Sequence, residues 1–483
     1  MTKSRNAFWL FSVSLIGLSI SYSVVLVGIG LNPAPSDFLL IKITLLFTVI
    51  NLFIILHNLR FTSLSLPVIY SALLILFIAN IPLQSIFVAN IDFKQMRYFQ
   101  GDLLSGEIEY LTLIQIILSF FGLQIGLIIF GRHDANGRAK YHQKVIKPPT
   151  QILNFTIEAK FTLGLILSLI TAFLAAYYWT QYEFIKSVGY ERLHMRQFGT
   201  KPISIFVMEQ VHALIAILLF LSTNKMRKTL KYFIIFTLPL ILILLLSGRR
   251  SIAMTELVSF FCLLHYRYRF IPPKVVILGI ALIGSIILNV SGEVRHKRNF
   301  EIQNPIEASL GFIRQQGASA YTVAYAVEAR KNPEFNFNIV NFTADALMML
   351  DKFVSKIASL PPKSLYEYYL SYGYSGYTIS IVSSNGAESL YAGRTLGTSL
   401  IAELVMWGGR LLNFLGHVFL ASGLVFVHRK LSASDSKKFL IPLIMLPEIF
   451  FLTRGSFANL LTENIISLLS LMLFTLIFVN AKK

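Results

Sequence analysis

The chain contains little cysteine and little charge. Its 483 residues include one cysteine, and Asp, Glu, Lys and Arg together make up only 14% of them. The single cysteine, Cys262, excludes an intramolecular disulfide and a metal site built from several thiolates. A soluble protein carries roughly 25% charged residues, so the composition argues against a water-soluble domain.

Sequence signatures of several protein classes are also absent. The chain has no Walker loop, no zinc-ligand motif and no Asp-x-Asp pair of the kind that metal-dependent sugar-nucleotide transferases use. We also find no pair of matching six-helix halves, which would mark many transporters. The sequence therefore predicts no cofactor and no metal site.

Long apolar blocks fill most of the chain. Hydrophobic residues account for 55% of the sequence, and the mean hydropathy is +0.65. The blocks show neither a 3.6-residue nor a 2-residue period, which is typical of membrane spans. We predict an all-α polytopic membrane protein with about twelve transmembrane helices. The predicted spans are residues 7–30, 38–57, 64–81, 110–130, 161–180, 203–221, 232–246, 252–265, 275–290, 411–427, 439–452 and 457–479.

Basic residues concentrate in alternate connections between the spans. The formal charge is +19, and the basic connections hold 22 of the 43 Lys and Arg residues but only three of the 24 acidic residues. By the positive-inside rule, these connections and both termini lie in the cytoplasm. Membrane orientation accounts for the whole excess of positive charge, so no binding of nucleic acid is expected. The first span is longer than a signal-peptide core, and we predict an uncleaved helix there.

The predicted spans divide the chain into three parts. Residues 1–290 hold the first nine transmembrane helices, residues 291–395 form a large periplasmic loop, and residues 396–483 hold the last helices. The loop is long enough for a small helical cap, with helical patterns at 305–330 and 341–358. The glycine pair Gly408-Gly409, beyond the loop, is a place where the following helix could break.

Arginines stand out among the basic residues outside the cytoplasmic segments. There, 12 of 21 basic residues are arginine, compared with eight of 22 inside. A guanidinium group binds phosphate through paired hydrogen bonds, whereas lysine serves membrane orientation equally well. This bias favours an anionic ligand, although ion pairs with outer acids or lipid headgroups are the alternative. The candidate diphosphate-binding residues are Arg249, Arg250 and Arg454, followed by Arg394, Arg410, Arg192 and Arg196.

Carboxylates within the spans are the second group of candidates. Glu403 is the leading one and Glu256 the second, each about one or two turns from a predicted outer boundary. A carboxylate at such depth is costly unless it is paired or lines a cavity. Such a group could serve as a general base, but for four of the five carboxylates within spans we expect an ion pair with an arginine instead; the five are Glu209, Glu256, Glu403, Glu448 and Glu463. For His212, also within a span, we expect a helix–helix hydrogen bond.

Three short motifs resemble those of a known family. Ser-Gly-Arg-Arg-Ser occupies residues 247–251, Gly-Thr-Ser-Leu-Ile-Ala-Glu occupies 397–403 ahead of Trp407-Gly408-Gly409, and Arg-Gly-Ser-Phe occupies 454–457. Together with the large outer loop, they make the chain resemble the Wzy-type O-antigen polymerases from about residue 232 to the C-terminus. The segment after Glu403 departs from the usual aromatic-then-glycine pattern of that family.

The resemblance implies a metal-independent, GT-C-like glycosyltransferase of the bacterial inner membrane. Such an enzyme transfers a growing glycan from undecaprenyl diphosphate onto an incoming lipid-linked repeat unit. Its partners would be this lipid-linked oligosaccharide and the membrane lipids, and a chain-length regulator protein is left open. An O-antigen ligase and a lipid-linked oligosaccharide flippase or other transporter remain as alternatives.

Overall fold

The computed structural model describes residues 35–87, 106–141, 155–188, 203–247, 249–271, 319–333, 337–358, 365–373, 375–382, 398–432 and 445–457, with a few single residues beside them. Every regular element in these ranges is a helix. The first group is α1 (Pro35–Asn58), α2 (Leu66–Leu74), α3 (Asn80–Phe87), α4 (Gly106–Tyr141), α5 (Ile157–Val188), α6 (Ile203–Leu221), α7 (Met226–Tyr232), α8 (Leu238–Leu246) and α9 (Arg250–Tyr268). The second group is α10 (Ser319–Lys331), α11 (Val340–Ile357), α12 (Leu365–Tyr372), α13 (Ser375–Ser380), α14 (Leu400–Ser432) and α15 (Leu446–Phe451).

Long apolar helices confirm the predicted fold class. Six segments of the described residues are long and apolar enough to cross a membrane: Phe38–Asn58, Leu66–Phe87, Gly106–Gly131, Ile157–Ser187, Met226–Leu246 and Leu400–Ser432. A shorter apolar helix covers Val207–Leu221. The protein is thus an α-helical polytopic membrane protein. The spans predicted at 7–30, 275–290 and 457–479 fall outside the described residues, except for Phe457.

Helix α9 corrects one sequence prediction. The apolar stretch 252–265 predicted a helix of only ~21 Å, too short for a hydrocarbon core of about 30 Å. The helix instead has 19 residues, from Arg250 to Tyr268, and is therefore ~28 Å long. The prediction was wrong because it counted only apolar residues, whereas the polar residues that follow them continue the same helix.

Helices α4 and α14 approach each other closely. A Cβ on Gly122 would lie 2.3 Å from the carbonyl oxygen of Phe414, and one on Gly126 would lie 2.5 Å from the Cβ of Ala421. Glycine at these positions lets the two backbones approach closely, as in many membrane helix pairs. The buried Asn413 side chain joins the same helices by donating to the backbone oxygen of Gln115 over 2.8 Å and to its side-chain oxygen over 3.0 Å.

A π-helical turn at Phe233–Thr237 connects α7 to α8. Pro239, within the first turn of α8, lacks an N–H and disturbs the hydrogen bonds of the preceding turn. The carbonyl oxygen of Phe236 accepts hydrogen bonds from Thr171 Oγ1 at 3.1 Å and His212 Nε2 at 3.3 Å. His212 is thus a helix–helix hydrogen-bond partner, as predicted.

The helix ends that were predicted to be cytoplasmic meet at one end of the bundle. Arg267, near the end of α9, donates to the carbonyl oxygens of Leu221 and Thr223 at the end of α6. Arg429, near the end of α14, donates to the carbonyl oxygen of Phe130 in α4. Since α4 and α9 run toward this end, their first residues, Gly106 and Arg250, lie at the opposite end, which we call the Glu403 end.

Candidate active site

The helix that carries Glu403 folds back on itself. Gly409 interrupts α14 with φ 64° and ψ −145°, a conformation open essentially only to glycine. A Cβ on Gly416 would lie 2.6 Å from Cδ1 of Leu404, although residues 12 apart in a straight helix are ~18 Å apart. Residues Leu400–Gly408, called here the half-helix, therefore lie against the longer part of α14 that begins at Arg410. The predicted break is confirmed.

Arg330 stabilises this break. Its Nη1 donates to the carbonyl oxygen of Met406 at 2.7 Å and to that of Val405 at 3.3 Å. These carbonyls lie in the last turn of the half-helix, where the backbone has no intrahelical donor to offer them. A Cβ at Gly409 would lie only 3.2 Å from Nε of Arg330. The sequence analysis did not single out Arg330, because the contact joins residues 76 positions apart.

Glu403 lies on the half-helix and is completely buried. Its Oε2 accepts a hydrogen bond from the backbone N–H of Phe457 at 2.8 Å, and the Ser456 side chain adds another to the carboxyl group. Its Oε1 is buried without a hydrogen-bond partner, and no ion pair joins the carboxyl group to a described lysine or arginine. The ion-pair alternative therefore finds no support at Glu403 among these residues.

The segment Arg454–Phe457 follows α15 and is held against the half-helix. The backbone N–H of Leu400 donates to the carbonyl oxygen of Leu452 at 3.3 Å, so the two segments are joined at Leu400 as well as at Glu403. The half-buried Arg454 places its guanidinium carbon 5.7 Å from the ring centroid of Phe77. Two of the three motifs found in the sequence thus meet in one place.

The acidic residue Asp345 joins this group; it lies in helices α11–α13, which together we call the cap. It is completely buried on α11 and accepts hydrogen bonds from the N–H and hydroxyl of Ser375, at 3.1 and 2.6 Å, and from Trp407 Nε1, at 3.2 Å. Burial raises the pKa of Asp345 from 3.8 to about 6, and these hydrogen bonds partly oppose the rise. Its charge also acts on Glu403. No sequence pattern pointed to Asp345, because a single acidic residue in an amphipathic helix ordinarily faces solvent.

Arg249 lies in a second polar group at the Glu403 end of the bundle. Its Nη2 donates to Gln181 Oε1 at 3.0 Å, and its guanidinium carbon lies 5.0 Å from the ring centroid of Tyr178. The hydroxyl of Tyr178 in turn donates to Glu209. Nε of Arg249 is buried without a partner among the described residues. A cation held by neutral and aromatic groups retains its capacity to bind an anion.

This arrangement combines two chemical functions. Glu403 has one carboxyl oxygen that is held by the backbone and another that is buried without a hydrogen-bond partner. Arg454 lies three residues from Phe457, and Arg249 lies at the same end of the bundle. A carboxylate in such a setting can accept a proton, and guanidinium groups in a water-poor pocket stabilise developing negative charge on phosphate oxygens.

Comparison with known families agrees with the motifs. The family model described as O-antigen polysaccharide polymerase Wzy matches residues 8–482. The chain belongs to this Wzy family. It is therefore a multi-pass inner-membrane polysaccharide polymerase, with glycosyl-transfer activity on lipid-linked oligosaccharide repeat units. Searches of curated proteins and of solved structures gave no match.

The other residues predicted for the polymerase site have different positions. Arg410 begins the longer part of α14, directly after the break, and is half-buried. Glu256 is a half-buried residue of α9, about two turns from Arg249, and has an interaction partner. Arg250 begins α9, but its side chain falls outside the described residues. Arg192, Arg196 and Arg394 also fall outside them.

In the described ranges, no group of three or more His, Cys, Asp or Glu side chains is arranged to hold a metal ion. The two carboxylates nearest each other in this site, Asp345 and Glu403, are engaged by different partners: Asp345 by Ser375 and Trp407, Glu403 by Ser456 and Phe457.

Proposed function

We propose that this Wzy-family protein polymerises undecaprenyl-diphosphate-linked oligosaccharide repeat units at the periplasmic face of the inner membrane. The Glu403 end of the bundle is the end opposite the lysine- and arginine-rich connections, and the positive-inside rule assigns it to the periplasm. Lipid-linked repeat units on that side would meet the arginines at the depth of their diphosphate groups.

The reaction is a substitution at C1 of the growing glycan. The bond from C1 to the diphosphate oxygen breaks, a bond from C1 to the acceptor hydroxyl oxygen forms, and undecaprenyl diphosphate leaves. Glu403 takes the proton of the acceptor hydroxyl, while Arg454 and Arg249 bind the diphosphate and stabilise its developing charge. Arg250 and Arg410, and also Arg192, Arg196 and Arg394, are further candidates for this binding, and Glu256 is the second candidate base.

The single observation that carries this assignment is the contact between Phe457 and Glu403. It brings the leading carboxylate next to the Arg454 segment, and the other carboxyl oxygen has no hydrogen-bond partner. The proposal includes a metal-independent, GT-C-like mechanism, because the arginines can supply the positive charge that a divalent ion would otherwise supply.

The test uses the full-length protein, purified and reconstituted into lipid nanodiscs with a lipid-linked repeat unit, with EDTA and without any nucleotide. We expect a ladder of oligomers on a gel, and no ladder from the Glu403→Gln variant. The same protein is also reconstituted into lipid vesicles. If it leaves the repeat unit monomeric but moves it across the vesicle membrane, it is a flippase. Transfer only onto added lipid A core would identify a ligase. Dependence of the ladder on added Mg²⁺ or Mn²⁺ would overturn the metal-independent mechanism.

A further inference from the structure

Helix α11 of the cap has an apolar face that points away from the protein. Val340, Leu347, Leu350 and Val354 are each about half exposed or more, with exposed fractions from 49% to 65%. Their spacings of seven, three and four residues place them on one side of the helix. Ile339 and Leu360, just beyond its two ends, are also more than half exposed. An apolar face of this length, interrupted by the exposed Thr343, indicates an interaction surface.

The opposite side of α11 is already used. Asp345 and Met348 are completely buried there, and Ser355 is nearly so. Asp345 binds Ser375 and Trp407, while Met348 packs in a small cluster with Tyr368 and Tyr377. One side of α11 therefore packs tightly against the half-helix and against α12 and α13. The exposed stripe lies on the other side of a well-packed helix.

The position of α11 relative to the membrane follows from its first residues. The ring of Phe342 lies 5.2 Å from that of Trp407 on the half-helix and 5.8 Å from that of Phe457. The half-helix folds back beside the start of the longer part of α14, which crosses the membrane. Helix α11 thus begins at the depth where the membrane-crossing helices end, close to the boundary between lipid tails and headgroups.

The neighbouring surfaces are of the kind that faces lipid. On the longer part of α14, Leu411 and Phe419 are exposed by 68% and 71%. Beside the C-terminal half of α11, Lys352 lies within 5.0 Å of the ring centroids of Tyr368 and Tyr377, and Lys363 forms an ion pair with Asp351 at 2.8 Å. Lysines and tyrosines next to an apolar stripe are typical of helices that lie in a membrane interface.

We infer that α11 lies in the plane of the membrane surface at the Glu403 end, with its stripe of Val340, Leu347, Leu350 and Val354 inserted into the lipid. The partner is the bilayer itself. On the other side of α11, Asp345 accepts a hydrogen bond from Trp407, which lies one turn from Glu403. This contact fixes the cap at the depth of the half-helix. This inference does not depend on the proposed chemistry.

Site-directed fluorescence tests this placement in the full-length protein. Cys262 is completely buried, so wild-type protein treated with the same dye serves as the blank. One further cysteine is introduced in each variant, by Leu347→Cys or by Val354→Cys. Each is labelled with an environment-sensitive dye in nanodiscs that contain either ordinary or brominated lipids. The matched control is Ser371→Cys on α12, an exposed residue one turn from the exposed Glu367.

We expect blue-shifted emission at positions 347 and 354, quenched severalfold by brominated lipids, and water-like, unquenched emission at position 371. Water-like emission without quenching at both 347 and 354 would overturn the inference. Blue-shifted emission that brominated lipids do not quench would also overturn it, because the stripe would then be covered by protein, either a second copy of the chain or another partner. The two test positions guard against a local effect of one label.

Discussion

The backbone N–H of Phe457 donates a hydrogen bond to Oε2 of Glu403 over 2.8 Å, across 54 residues of chain. The contact holds the carboxylate in place by a backbone group, so its orientation does not depend on a flexible side-chain partner. The other oxygen, Oε1, is buried without a hydrogen-bond partner. On this contact we base the proposal that Glu403 is the general base.

Glu403→Gln is the most direct test of the base. Glutamine keeps an oxygen that can accept the hydrogen bond from Phe457 but loses the ability to take a proton. We expect polymer formation to fall by roughly 10²–10⁴-fold while the amount of protein in the membrane stays unchanged. Polymer is measured by the chain-length ladder on a gel. The control is Glu183→Gln, since Glu183 is exposed on α5, and a wild-type ladder from Glu403→Gln would exclude general-base catalysis by this residue.

Arg454→Ala and Arg249→Ala test diphosphate binding. Each change removes a guanidinium group at the Glu403 end, and we expect long-chain polymer to fall by roughly 10²-fold or more with expression intact. Arg454→Lys should recover only part of the activity, because lysine lacks the planar fork that binds two oxygens at once. Arg227→Ala, an exposed change at the opposite end of the bundle, is the control and should leave the ladder unchanged. If both arginine variants also gave the wild-type ladder, the diphosphate assignment would be wrong.

Gly409→Ala tests the fold-back of α14. A Cβ at this position forces a backbone conformation that costs roughly 1–3 kcal/mol for a residue other than glycine, and it would also crowd Arg330. We expect a lower melting temperature in nanodiscs and a loss of polymer. Gly423→Ala is the matched control in the same helix, because a Cβ there meets nothing within 4 Å and alanine favours helix. Equal melting temperatures for the two variants would contradict the need for a break at Gly409.

The pKa of Asp345 predicts a pH-dependent contribution to stability. A carboxyl group whose pKa rises from 3.8 to about 6 on folding stabilises the fold fully below pH 4, and this contribution is lost as pH rises through about 6. The loss is on the order of 3 kcal/mol by pH 7. Asparagine does not titrate, so Asp345→Asn should not lose this stability as pH rises. The melting temperature of the variant minus that of wild type should therefore increase between pH 4 and pH 7. A constant difference between the two melting curves over this range would refute the prediction.

Asp345→Ala separates the hydrogen bonds of this residue from its charge. Alanine leaves the Ser375 hydroxyl and Trp407 Nε1 without their buried acceptor, which costs roughly 1–3 kcal/mol per unsatisfied group. We therefore expect Asp345→Ala to melt below Asp345→Asn at every pH. A melting temperature for Asp345→Ala at or above that of Asp345→Asn would mean that the contacts between cap and half-helix contribute little.

Sequence patterns located several elements of the site but not their assembly. The stretches that carry Glu403 and Arg454 were both recognised as motifs in the sequence, and the glycine pair Gly408-Gly409 predicted the break at Gly409. Arg330 and Asp345 were missed, because each acts through a contact with a residue far away in the chain. The length of α9 was underestimated because its polar end residues were read as a boundary.

The amino-acid sequence alone determined that this protein is a bundle of membrane helices and which of their ends carry the basic connections. Both properties follow from the local cost of placing apolar groups in water and charged groups in lipid, which depends on composition and hardly on distant contacts. Only the tertiary structure decided that the half-helix folds back at Gly409, that Phe457 meets Glu403 and that Asp345 joins Trp407. These contacts depend on how helices pack against one another, and packing is set by the shapes of many side chains at once.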